Sequence, residues 1–275
     1  MPRRLELSEA IADRLRAIGL DPDAFGDPAG AWRGLRERFG PRITLIDRYE
    51  LEAAARGVRP EELPADLRAR IGNEVLRIQF PGLEFVPSSE RSPGGPVAVV
   101  PYDRTWPRRF GDLRRRLAAE LGPVAVRIEH VGSTAVPDLA AKPIIDVQIS
   151  VGDVEAEATY VAGIERVAAP LRSREPGHRY FRPAGDSLRF VHVHVCDAGS
   201  KWERDHLLFR DYLRAHPHAR DTYGRIKREL ATRYGDDRLA YTDAKSDFIL
   251  DTLDEAREWA ARADWQLPPS LAMTR

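Results

Sequence analysis

The apolar positions of the chain follow a helical period over its first 80 residues and a mixed period afterwards. Ile11, Leu15 and Ile18, with Leu5 before them, sit near helical spacing, and Gly19 follows as a C-cap. Trp32, Leu35 and Phe39 form a second stripe that Gly40-Pro41 stops. Residues 43–55 and 63–76 read as third and fourth helices, and Ile78, Phe80, Leu83 and Phe85 as strand-like, broken by Pro81-Gly82. A run of Ser, Pro and Gly over 88–96 reads as a linker. Beyond it, strands are predicted at 97–101, 125–130, 143–151 and 189–196. The 143–151 segment is nearly continuous in Ile and Val, the pattern of a strand buried on both faces. Helices are predicted at 106–121 (Phe110, Leu113 and Leu117 on one face), 154–169, 202–215, 221–234 and 243–263. The alternation gives an α/β (α+β) layer fold over residues 97–275, preceded by a small, mostly helical domain over residues 1–88.

Composition narrows the function classes. Of 275 residues, Lys and Arg number 43 and Asp and Glu 43, so the formal charge is zero, which argues against bulk electrostatic attachment to nucleic acid. No apolar run approaches the roughly 18–20 residues of a spanning helix, and the N-terminus lacks the apolar core of a signal peptide. Cys196 is the only cysteine, which excludes intramolecular disulfides and multi-cysteine zinc sites. A cytoplasmic protein with small-molecule partners and no membrane is the expectation; the oligomeric state is left open.

The richest stretch is Ile128-Glu129-His130-Val131-Gly132-Ser133-Thr134-Ala135-Val136-Pro137, followed by Lys142-Pro143-Ile144-Ile145-Asp146-Val147-Gln148-Ile149. A strand runs into Gly132-Ser133, which opens a turn or helix. Gly lets the backbone approach a ligand, and Ser133, Thr134 and free N–H groups suit phosphate oxygens. Asp146 lies on the next strand, where its carboxylate is placed to hold a divalent cation beside that phosphate. A capping Ser, a turn Gly and a strand-end Asp are the bland alternative.

These residues resemble the GrpB family. The likeness runs through Val99, Pro101-Tyr102-Asp103, Trp106-Pro107, the 128–137 and 142–146 segments, and His192-Val193-His194-Val195. It continues in residues 208–214, Tyr223, Lys227, Tyr241 and Lys245, so it covers about residues 97–260. GrpB proteins are placed in the polymerase-beta-like nucleotidyltransferase superfamily. The resemblance implies a short mixed sheet flanked by helices, a Gly-Ser pair on nucleotide phosphates, and acidic residues at i and i+2 of one strand that hold two metal ions with a third acid on a later strand. Gly132-Ser133 and Asp146 match. The second acidic position carries Gln148, and the later strand offers His192 and His194 in place of an acid. Asp146, Gln148 and His194 are thus the implied metal set, for magnesium or manganese with zinc as a variant, and ATP or another nucleoside triphosphate is the implied co-substrate.

His192 and His194 share one strand face because the side-chain period is two. With Asp146 they would form a metal ligand set, or an acid/base group beside an anion, or a hydrogen-bonded polar groove. His130 precedes the turn and is a further lining candidate, with Glu129 facing the opposite way. Arg210 and Arg214, at i and i+4, are placed to clamp an anion, and Lys142, Lys227 and Lys245 are candidate phosphate partners. Arg179, Tyr180 and Arg182 fall in a Gly/Pro-bounded stretch that reads as a lid.

Three functions follow: nucleotidyl or phosphoryl transfer to a small molecule; a biosynthetic enzyme of altered chemistry that activates a carboxylate for amide formation or cyclisation; or a non-catalytic ligand-binding protein. Gln148 separates the first from the others.

Overall fold

In the computed structural model the chain is described over residues 7–87, 96–183 and 191–274. Leu5, Ser88 to Gly95, Arg189 and Phe190 lie outside the described residues. The chain divides into two compact units. One comprises residues 1–81 with 237–247, and the other 82–236 with 248–275. The segment 237–247, far along the chain, thus packs with the N-terminal residues.

The first unit is helical: α1 (Glu9–Ala17), α2 (Pro28–Phe39), α3 (Leu45–Arg56), α4 (Ala65–Gln79) and α9 (Arg238–Asp243). Asp27 caps α2 ahead of Pro28, whose missing N–H needs no partner at a helix start. Thr44 and Asp47 close a capping box on α3. Ile11, Leu15, Trp32, Leu35, Leu51 and Ile71 are all under 4% exposed, so the helical stripes meet in one core. Ile78, expected in a strand, is part of α4, because the Ala65–Gln79 pattern continues one turn beyond the predicted end.

The second unit holds a six-stranded sheet in the order β1 (Glu84–Phe85), β4 (Leu171–Glu175), β5 (His178–Phe181), β6 (Val191–Asp197), β3 (Ile145–Val151), β2 (Ala125–Val131). Among the described residues only β3 and β6 pair in parallel; the sheet is mixed. The helices are α5 (Trp106–Leu121), α6 (Val161–Val167), α7 (Lys201–Ala215), α8 (Pro217–Tyr234) and α10 (Ser246–Arg262). The fold class is the mixed sheet flanked by helices that the sequence suggests. No described helix is long and apolar enough to cross a membrane.

Alternation splits the sheet into two unlike faces. Val147, Ile149, Val193, Val195, Ile128 and Phe181 point to one side and pack with Trp106, Leu117, Ile164 and Val167 of α5 and α6, all 0–8% exposed. Burying each such aliphatic side chain is worth about 1.5–3 kcal/mol. Asp146, Gln148, Ser150, His192, His194 and Cys196 point to the other side.

Three expectations change. The 97–101 segment makes a single bridge, Val100 with Ala141, rather than a strand. The 154–169 helix shrinks to α6, preceded by a three-residue turn at Glu157–Thr159. The stretch read as a lid is instead the β4–β5 hairpin, turning at Pro176-Gly177.

Candidate functional site

The parallel pairing of β3 with β6 sets Asp146 opposite His192 and Gln148 opposite His194. On the far side of β6, Tyr180 pairs with His194 and His178 with Cys196. On the far side of β3, Val131 pairs with Asp146 and Glu129 with Gln148. Residues from four strands therefore share one polar face.

Asp146 is its centre. His192 Nδ1 donates to Asp146 Oδ1 at 3.2 Å, and His194 Nε2 lies 4.0 Å from the same oxygen. Burial alone would raise the Asp146 carboxyl. The His192 hydrogen bond and the charges of His192, His194 and Lys142 outweigh it and hold the carboxyl below its ordinary value. Burial and the neighbouring His178 push His194 well below its ordinary value, against the pull of Asp146. At neutral pH the pair is a carboxylate beside a neutral imidazole, a combination that can take up a proton.

Gly132 follows β2 directly with φ 68°. A Cβ there would stand 2.4 Å from Asp146 Oδ2, so only glycine lets the chain turn this close to the carboxylate. Ser133, Thr134 and Ala135 form a single 3-10 turn rather than the start of a longer helix, and no helix dipole acts here. Gly132 is exposed and Ser133 half-buried, so the turn is open to a ligand.

His130 faces away from Asp146's neighbours, stacked on Phe110 with centroids 4.7 Å apart. Its Nε2 pairs with Thr134 Oγ1 at 3.0 Å, and that hydroxyl donates to the Ile144 carbonyl. His130 and Thr134 thus brace the turn from behind. Burial pushes His130 down to about 4, so it is neutral at pH 7.

Arg210 and Arg214 do not stand as an anion clamp. Arg210, 5% exposed, donates to Glu129, the His130 carbonyl and Asp211. It ties α7 to β2. Arg214 donates through Nε and Nη2 to the Ala135 carbonyl and through Nη1 to Asp211, and so holds the far end of the turn. The i, i+4 spacing was right for one helix face, but that face meets β2 and the turn. Lys227, 2% exposed, sets its ammonium 4.5 Å from the Tyr223 ring centre. Lys245 belongs to the first unit, its ammonium 4.6 Å from the Tyr241 ring centre.

Two residues were missed as site neighbours. His178, 7% exposed, joins His194 through an Nε2···Nδ1 contact of 3.0 Å. Glu203 at the start of α7, fully buried, receives both arms of Arg127 at 2.6 and 3.0 Å, the Ser150 hydroxyl and the Gly199 N–H. The Pro176-Gly177 turn between Leu171-x-Ser173 and His178-x-Tyr180 was the available signal for His178, as a hairpin. Arg179, read as part of a lid, is 4% exposed and bridges Glu155 and Glu157.

The implied two-ion centre does not fit these residues. Clustered carboxylates are what hold such ions. Here Asp146 is the one carboxylate on its strand face, already bonded to His192. Gln148 is fully buried with neither amide atom hydrogen-bonded. Among the described residues no group of three or more His, Cys, Asp or Glu side chains is arranged to hold a metal ion.

Comparison with known proteins places this geometry. The family model described as GrpB protein matches residues 96–255. A UPF0157 protein of Streptomyces coelicolor is 43% identical over 161 residues, 57% of this chain and 84% of that protein. A dephospho-CoA kinase of Mycobacterium leprae is 33% identical over 201 residues, 62% of this chain and 49% of that one; the chain spans about half the length of such kinases. The crystal structure of the conserved protein GrpB from Enterococcus faecalis aligns with TM-score 0.53 at 33% identity, covering 59% of this chain and 99% of that one. The matched stretch takes in the Gly132 turn, Asp146, both strand histidines and the arginines that brace them, and the chain belongs to the GrpB family.

Proposed function

We propose that the chain is an enzyme that transfers a nucleotidyl or phosphoryl group to a hydroxyl or amine of a small molecule. One observation carries the reading: the Asp146 carboxylate stands between an open glycine turn and two imidazoles, at 3.2 and 4.0 Å. In this reading the backbone of Gly132 and Ser133 and the Ser133 hydroxyl receive phosphate oxygens of a nucleoside triphosphate, Thr134 braces the turn from behind, and Lys142 offsets the negative charge gathered beside Asp146. Asp146, oriented by the His192 hydrogen bond and beside His194, takes the proton of the attacking group, and the bond to pyrophosphate (nucleotidyl transfer) or to the nucleoside diphosphate (phosphoryl transfer) breaks as the new one forms. Arg210 and Arg214 act by holding the turn and strand in place. No step is routed through a metal ion, because the donor set does not match one.

The kinase name of the mycobacterial relatives favours a nucleotide-bearing substrate. The P-loop signature GxxxxGK[ST] has no counterpart, since the chain contains no Gly-Lys pair. The second reading, a biosynthetic enzyme of altered chemistry, is favoured by Gln148 at the expected second carboxylate.

Thermal denaturation with nucleoside mono-, di- and triphosphates tests the reading, each with and without magnesium, manganese or zinc. A triphosphate at a hundredfold its Kd adds about 2.7 kcal/mol, an upward shift of several degrees. The shift is expected to vanish in Gly132→Ala, whose methyl meets Asp146. No shift with any nucleotide, under any ion condition, overturns it.

A further inference from the structure

We infer that His192 is the nucleophile of the proposed transfer: its Nε2 takes the phosphorus group from the nucleoside triphosphate and passes it to the acceptor. The inference rests on the transfer reading above and divides that transfer into two displacements.

One imidazole near this face differs from the rest. His130 is tied through Nε2 to Thr134, and His178 is buried and joined to His194. His194 meets His178 through Nδ1 and turns Nε2 to Asp146. His206 gives its Nδ1–H to the Trp202 carbonyl of its own helix. His192 sets Nδ1 on a carboxylate, Asp146 Oδ1 at 3.2 Å, and its side chain is 23% exposed. Among the described residues its Nε2 has no hydrogen-bond partner and is not one of the enclosed unpaired atoms, so that nitrogen is open to a ligand.

The partner fixes the tautomer. A carboxylate oxygen only accepts, so the Nδ1 beside it carries the proton, and the neutral ring presents its lone pair on Nε2. Asp146 also stabilises the positive ring that forms once Nε2 makes a bond, the part an aspartate plays behind a catalytic imidazole. Tyr180, with ring centroids 5.3 Å apart at 73°, packs edge-on against His192 and restricts its rotation. The strand order sets the reach. Gly132 follows β2, Asp146 lies on β3 and His192 beside it on β6. Two strand spacings, about 10 Å, separate the turn from the His192 backbone, a gap that a triphosphate chain and an imidazole bridge between them. Asp146 Oδ1 is the oxygen on His192, and Oδ2 is the one nearer the Gly132 turn.

One carboxylate thus serves both displacements. In the first, the Nε2 lone pair forms a bond to phosphorus. The P–O bond to pyrophosphate (attack at the α-phosphorus) or to nucleoside diphosphate (attack at the γ-phosphorus) breaks, and the leaving oxygen keeps the electron pair. The ring carries the group as a phosphoramidate, its positive charge balanced by Asp146 Oδ1. In the second, the acceptor hydroxyl or amine attacks the same phosphorus, the P–N bond breaks and Nε2 regains its lone pair. The acceptor's proton passes to Asp146 Oδ2 and from there to water.

The test needs no acceptor. The full chain is incubated at pH 7.5 with ATP, GTP, CTP or UTP, with and without magnesium, quenched in alkali and measured intact by mass spectrometry. A histidine phosphoramidate survives alkali and is lost in acid. The expected result is a gain of one nucleoside monophosphate or one phosphoryl group per chain, mapped to His192 and absent in His192→Gln. The size of the gain tells attack at the α-phosphorus from attack at the γ-phosphorus. Asp146→Asn should slow its formation by about 10⁴-fold, the scale for losing an aspartate that orients a catalytic imidazole. Exchange of labelled pyrophosphate, or of labelled nucleoside diphosphate, into the triphosphate reads the same intermediate where it does not accumulate. If His192→Gln does not fold, the wild-type peptide map decides. An adduct on another residue overturns the inference. A nucleotide that raises the thermal midpoint but gives neither adduct nor exchange also overturns it, and leaves the transfer reading standing as a single displacement. Absence of any nucleotide shift overturns that reading and this inference with it, so the two failures are distinguishable.

Discussion

The two faces of the sheet in the second unit are built from the same four strands, β2, β3, β5 and β6, on different physics. Under α5 and α6 the face is aliphatic, with Ile128, Val147, Ile149, Val193 and Val195 each 0–1% exposed. Contacts there are numerous and individually weak, so loss is graded. Under α7 the face is polar: Arg127 on Glu203, Arg210 on Glu129, imidazole on imidazole, carboxylate on imidazole. Each member there depends on one or two named partners, and removing one leaves another stranded away from water. The difference teaches where function can be altered cheaply. The apolar face tolerates small changes in size, whereas the polar face tolerates few changes in kind.

Neighbouring residues sharpen this contrast most. Arg127 and Ile128 are adjacent in the chain and face opposite ways. Arg127→Met leaves the fully buried Glu203 without its bidentate partner, and a loss of about 3–5 kcal/mol is expected. Ile128→Val removes one methylene and should lose only about 1 kcal/mol. Urea denaturation of the two variants compares them directly, and equal losses would erase the distinction.

A smaller effect is expected from pH. His130 is held neutral by burial, with its folded pKa pushed down to about 4. Between that value and the unfolded pKa of about 6.5, the unfolded chain binds the extra proton. Stability contributed by the neutral ring is therefore full above about pH 6.5 and falls as the pH drops toward 4, by roughly 3 kcal/mol at most. Asp146 acts in the same sense lower down: its depressed carboxyl contributes stability that is lost as pH falls through its folded value. Urea midpoints at pH 7.5, 6, 5 and 4 should decline in the wild type and decline less in His130→Gln.

The smallest effect has the opposite sign. Gln148 buries an amide whose two polar atoms have no hydrogen-bond partner. Gln148→Met keeps the length and removes the unpaired dipole, so stability should hold or rise by up to about 1 kcal/mol. A loss of more than that would mean the amide is paired in solution and belongs to the polar network after all.

Much of this site was legible from local sequence. Gly132 next to Ser133 after a strand, Asp146 on the following Ile/Val run, and His192 and His194 two apart are signals contained within a few residues. Strand periodicity alone put the two histidines on one face. Arg210 was misread because helical spacing tells which side chains point together but not what they meet, and Glu129 lies 81 residues earlier. The β4–β5 hairpin was read as loop because Pro170, Pro176, Gly177 and Pro183 crowd a stretch whose alternation is short and arginine-rich. With the hairpin went His178, whose partner is fixed by register rather than by any motif. Gln148 was visible as a departure from the family pattern, but its enclosure depends on strands on both sides. The helical stripes of the first unit read correctly, whereas the placement of 237–247 beside them is a property of three dimensions.

Cys196 lies on β6, between β5 and β3, with no exposed surface, and burial raises its thiol to about 12. An external electrophile meets neither a path nor a thiolate while the sheet is closed. The chain's single sulfhydryl is thus a clock set at the centre of the strand that carries both site histidines. The rate at which a thiol reagent marks it counts how often that strand comes free of its neighbours.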